Sequence, residues 1–154
     1  MRFHQVREVI EWAVQTHANL AHQYDQASCA CVDERTRMAL RYLADHERQM
    51  QIALARYLAD GSEHRNVLET WFDDTTEFPQ PTVVARLCAA AGDKANEDLL
   101  ANALAIHKTM EDLYRQHTET ASIGDERDFF TALATSQEAE TRRLVRDMSR
   151  LDAL

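Results

Sequence analysis

Apolar residues return every three or four positions from Phe3 through Val6, Ile10, Ala13, Leu20, Tyr24 and Ala27 to Cys31, with His17 set among them. A strand alternates with period two, so this spacing describes one face of a long α-helix. A second seam runs through Thr36, Leu40, Leu43, Glu47, Met50, Leu54 and Tyr57. A third joins Leu100, Ala103, His107, Met110, Tyr114, His117 and Ala121, and a fourth joins Phe130, Leu133, Gln137, Glu140, Leu144, Met148 and Leu151. With only 3 Gly and 2 Pro in 154 residues, little in the chain interrupts helices of this length. The spacing predicts an all-α four-helix bundle in one domain, with helices over residues 3–31, 34–60, 96–122 and 125–152.

The connections set the topology. Val32-Asp33-Glu34 is short enough to make the first two helices antiparallel neighbours. Gly61 is expected to close the second helix, Asn96 to cap the third, Gly124 to end it and Asp125 to cap the fourth. Residues 61–95, which hold Pro79 and Pro81, form a long crossover with short helical pieces expected near 66–72 and 82–91. An internal repeat agrees with two hairpins. Offset by 90 positions, Ala13 meets Ala103, His17 meets His107 and Tyr24 meets Tyr114; further on, Leu43 meets Leu133, Ala44 meets Ala134 and Leu54 meets Leu144.

Charge and cysteine usage exclude several classes. A net charge of −9 and a pI near 5.2 disfavour phosphate backbones and anionic lipid. No apolar run is long enough for a membrane span, and the charged start MRFHQVREVIEW lacks a signal-peptide core. Cys29, Cys31 and Cys88 are an odd set expected to stay reduced, which points to the cytoplasm. Cys29 and Cys31 lie two apart on a helix and so point in different directions, as ordinary small residues rather than a metal pair. Nucleophile elbows, phosphate loops, zinc-finger spacings and dinucleotide fingerprints are all missing.

What the seams leave unexplained is one polar layer: His17, Glu47, His107, and Gln137 with Glu140. The repeat pairs His17 with His107 and Glu47 with Gln137, so the layer should converge at one level of the core. Buried polar groups are costly without partners. Tyr24 and Tyr114 follow the two histidines by two turns on the same faces.

The pattern resembles the rubrerythrin-like branch of the ferritin-like superfamily across nearly the whole chain. In that family each hairpin supplies a metal-ligand Glu followed seven residues later by a Tyr, then Leu-Ala-x-x-Glu-x-x-His on the next helix. Here the framework reads His17…Tyr24 then Leu43-Ala44-x-x-Glu47-x-x-Met50, and His107…Tyr114 then Leu133-Ala134-x-x-Gln137-x-x-Glu140. The resemblance implies a ferritin-like fold and, by analogy, a homodimer. It also places the six family ligand positions on His17, Glu47, Met50, His107, Gln137 and Glu140. Only Glu47 keeps the family's residue type, which speaks against di-iron oxygen chemistry.

Three readings follow. The leading one is a degenerate, non-catalytic binding or assembly module with no cofactor, its core polar groups paired with one another. The alternative is a mononuclear Fe, Mn or Zn metalloprotein, an oxidoreductase by class, with His17, Glu47, His107 and Glu140 as ligands and Tyr24, Tyr114, Gln137 and Met50 around them. The third is a small-ligand or pH-responsive binder that uses the same polar layer. His22, His46 and His117 are read as structural, and His4 and His64 as surface residues.

Overall fold

The structure is a computed structural model that describes residues 1–59, 62–73, 76–92 and 96–153. Four long helices dominate: α1 (Val6–Ala30), α2 (Glu34–Ala55), α5 (Asn96–Thr120) and α6 (Gly124–Asp152). Between α2 and α5 lie a 3₁₀ turn (Arg56–Leu58), the single turn α3 (Arg65–Leu68) and α4 (Gln80–Ala89). Helix α1 packs along α2, and α5 along α6, while α4 lies on α5. The seams face inward as their spacing demands: Ile10, Ala13, Leu20, Leu43, Ala103, Met110, Phe130 and Leu144 are fully buried.

The N-terminus departs from the expected helix. Phe3 is buried, yet α1 begins only at Val6, because the first residues spend their backbone hydrogen bonds on the crossover. Phe78 N donates to Met1 O at 2.9 Å, Phe72 N to His4 O at 2.9 Å and Val6 N to Thr70 O at 3.1 Å. Isolated bridges pair Arg2 with Glu77 and Gln5 with Trp71. Periodicity placed Phe3 on the correct face, but its backbone is held by a segment some seventy positions away.

Helix ends also differ in detail. The start of α2 is capped by Asp33, whose carboxylate accepts from Thr36 N at 2.9 Å and from Thr36 Oγ1 at 2.7 Å. Gly61 and the cap expected of Asn96 lie outside the described residues and side chains. Gly124 and Asp125 do not act as stop and cap. Helix α5 ends at Thr120, and both residues sit inside the first turn of α6. Glu126 serves that end instead, its Oε2 accepting from Ser122 N at 3.2 Å.

Gly92 terminates α4 in the left-handed region, at φ 88°. A Cβ built there would stand 3.0 Å from the Ala27 Cβ of α1, so the crossover rests closely on the first hairpin. Gly92→Ala is expected to cost about 1–2 kcal/mol from the left-handed backbone alone. A thermal unfolding midpoint unchanged from the parent would refute that close approach.

Candidate metal centre

The polar layer assembles from three helices. His17 of α1, Glu47 of α2 and His107 of α5 are each 0% exposed. His17 Nδ1 lies 2.5 Å from Glu47 Oε2, and His107 Nε2 lies 2.6 Å from Glu47 Oε1. One carboxylate therefore bridges two imidazoles, whose ring centroids are 6.1 Å apart. Burial acts to raise the Glu47 carboxyl pKa, but the two histidines outweigh it and hold the group well below the usual carboxylate range.

An ionised carboxylate only accepts, so both facing ring nitrogens are donors. The other ring nitrogens, His17 Nε2 and His107 Nδ1, are buried without a partner. Both bonds to Glu47 are charge-assisted, because the acceptor is ionised.

Other expected members of the layer stand apart. Glu140 does not join: its side chain is 22% exposed and its Oε1 accepts from Arg143 Nη1 at 2.6 Å. One helical turn brings Arg143 beside Glu140 at the bundle edge, where pairing avoids burying a second anion near Glu47. Gln137 is buried, with its Nε2 unpartnered, and Met50 is half-buried. Both line a cavity beside α6. The Tyr24 and Tyr114 hydroxyls are buried with no partner, and burial pushes both phenols up.

His46 lies closer to the cluster than its sequence position suggests. It is buried, 5.5 Å from the His107 ring and 6.1 Å from the Tyr42 ring, and burial pushes it down to about 4. The signal for it was adjacency to Glu47, on a helix face wider than a single seam.

Among solved structures, the chain is similar to a crystal structure from Thermotoga maritima described as a ferritin-like diiron-carboxylate protein. The TM-score is 0.55 at 15% identity, with 97% of this chain and 98% of that chain covered. The fold is ferritin-like. No family model matches the sequence, and no curated protein does either.

The ferritin-like frame allows the donor set to be tested against the metals it could hold. A di-iron centre needs several carboxylates, two of them bridging, and this cluster holds one; the residues do not fit that group. A single ion is closer to reach. The ligating atoms of His17, Glu47 and His107 all lie within 4.8 Å of one another. First-row ions bind nitrogen and oxygen at about 2.0–2.2 Å, which spaces neighbouring ligand atoms by about 3 Å or more. The 2.5 and 2.6 Å separations are hydrogen-bond distances instead. Among the described residues no helix is long and apolar enough to cross a membrane.

Proposed function

We propose that this chain is a ferritin-like protein in which a hydrogen-bonded His–Glu–His core stands in place of a di-iron centre. In this reading it acts as a non-catalytic binding or assembly module, with residues 1–154 forming one domain. The observation that supports it is the bonding of Glu47 to both His17 and His107 at hydrogen-bond distance, with Glu140 turned to Arg143. The spacing of His17…Tyr24 and His107…Tyr114, each followed by a Leu-Ala helix, supports the finer placement in the rubrerythrin-like branch. Three free thiols, Cys29, Cys31 and Cys88, support a reducing compartment, the cytoplasm. We further propose a homodimer, for which Trp71, 66% exposed, is a contact candidate.

Elemental analysis tests the core reading. Protein purified without chelator, then incubated with Fe(II), Mn(II) or Zn(II) and desalted, is expected to retain far less than one equivalent of any metal. Stoichiometric retention, lost in His17→Ala or His107→Ala, would overturn it.

A second reading has an observation of its own. One ligand atom each of His17, Glu47 and His107 lies within 4.8 Å of the others, a set that one divalent ion could draw together. Two imidazoles and one carboxylate suit Fe, Mn or Zn. Such an ion would supply Lewis-acid or redox chemistry, and Tyr24 and Tyr114 carry buried, unpartnered hydroxyls on the histidine-bearing helices.

A further inference from the structure

A cavity of about 260 Å³ is lined by residues of α2, α5 and α6, and none of His17, Glu47 and His107 lines it. Its wall is mostly apolar, with Met50, Leu54 and Leu133 contributing, while Tyr114 and Gln137 are its buried polar members. Tyr114 is 1% exposed and Gln137 2% exposed, yet neither the Tyr114 hydroxyl nor Gln137 Nε2 has a hydrogen-bond partner. Buried polar side chains in native proteins nearly always find a partner, so two orphans lining one cavity point to an occupant.

The chemistry of that occupant follows from what the walls offer. A phenol O–H and an amide N–H₂ can both donate, so the complement is an acceptor oxygen. Leu54, Leu133 and Met50 favour an apolar body. At the rim, Arg143 is paired with Glu140 at 2.6 Å, so the two opposite charges balance there. The volume lies just under the usual range of about 300–1,000 Å³ for ligand pockets, which limits the occupant to roughly one ring. Gln49, Tyr57, Ser136, Glu140 and Arg143 add polar groups on the less buried side of the wall.

We propose that this cavity binds a small, uncharged, mainly apolar molecule through a carbonyl-type oxygen that accepts hydrogen bonds from Tyr114 and Gln137. The proposal deepens the binding reading above by naming a ligand class and a place. It does not depend on the state of the histidine cluster, because the cavity and the cluster share no lining residue.

The test is a titration of the full chain with acetophenone and with α-methylstyrene, which has the same shape but a CH₂ in place of the carbonyl oxygen. Chemical-shift changes or calorimetry report binding, and metal content is measured on the same sample. Acetophenone is expected to bind one per chain and at least about tenfold more tightly than the hydrocarbon, because only it satisfies the buried donors. Gln137→Leu should cut that preference, and Gln137→Leu combined with Tyr114→Phe should bring it to near parity. Ala53→Phe, at an exposed position on the cavity wall, should block both probes while helical content and thermal midpoint stay unchanged. Saturable binding absent up to about 10 mM, which corresponds to an affinity too weak to matter, would overturn the proposal. So would equal affinities for the two probes that Gln137→Leu leaves unaltered. Bound metal with acetophenone selectivity intact would overturn the metal-free core and leave the cavity assignment standing.

Discussion

Replacing His107 with alanine is expected to destabilise the bundle by about 3–5 kcal/mol, the range seen when one partner of a buried ion-pair network is removed. The cause is electrostatic before it is steric. Glu47 would keep its charge at 0% exposure with only His17 left to donate to it, and part of the imidazole volume would become void. His17→Ala should behave alike, since its bond to Glu47 is the mirror of the first. The triple change His17→Leu, Glu47→Met, His107→Leu removes every member of the network together. It is expected to fall within about 1–2 kcal/mol of the parent, or above it, because apolar groups of similar volume carry no desolvation penalty. Urea unfolding at neutral pH, with and without chelator, reads all four proteins. The defining result is non-additivity: two single changes each far costlier than the triple. If the triple variant were as unstable as the singles, the cluster would be holding the helices by something other than mutual pairing. A parent whose stability dropped on adding chelator would instead favour the single-ion reading.

Much of this arrangement could be read from residue spacing, because it is written in local periodicity. The three-four seams place Ile10, Leu43, Met110 and Phe130 in the core, and the same phase puts His17, Glu47 and His107 at one level. Side-chain direction at a helix edge is not local in that sense. Glu140 shares the fourth seam with Gln137, yet one turn further it can reach solvent and Arg143. The N-terminal strap escaped for a related reason. Phe3 continues the apolar phase of α1, and nothing near it announces that Thr70, Phe72 and Phe78 will claim its neighbours' backbone groups. Gly124 shows the weakness of composition as punctuation: a glycine near a helix end need not be left-handed, and here it opens α6. His117 and its aromatic surroundings were equally hidden, since two of the rings around it come from the crossover.

His117 should set the steepest part of the acid-side stability curve that can be assigned to a single group. It is 1% exposed and lies among phenylalanines, with ring centroids at 4.2 Å from Phe78, 4.6 Å from Phe130, 4.9 Å from Phe72 and 6.0 Å from Phe3. Its Nε2 has no partner, and burial pushes its pKa from 6.5 down to about 4. In the unfolded chain the same imidazole takes up a proton near pH 6.5, so between pH 6.5 and 4 the unfolded state binds more protons than the folded one. Stability therefore falls as pH falls through that window and loses nothing further from this group below it. At about 1.4 kcal/mol per pKa unit the shift corresponds to about 3 kcal/mol. An imidazolium stacked on phenylalanine faces regains some of that through cation–π attraction, which brings the expected loss to about 2–3 kcal/mol. Asp73 and Glu126 line the same hollow as His117, and burial raises the Glu126 carboxyl, which weakens it as a counter-ion. His46 titrates in the same direction, whereas Glu47, with its depressed carboxyl, gives up stability only as pH falls below the ordinary carboxylate range. The contribution of His117 is isolated by comparison with His117→Leu, which cannot titrate. From pH 7 to 4 the urea midpoint of the parent should fall relative to that of the variant, whatever their offset at pH 7. Two parallel curves would mean that His117 takes its proton inside the folded bundle without penalty, and the aromatic cluster would then have to open to admit water.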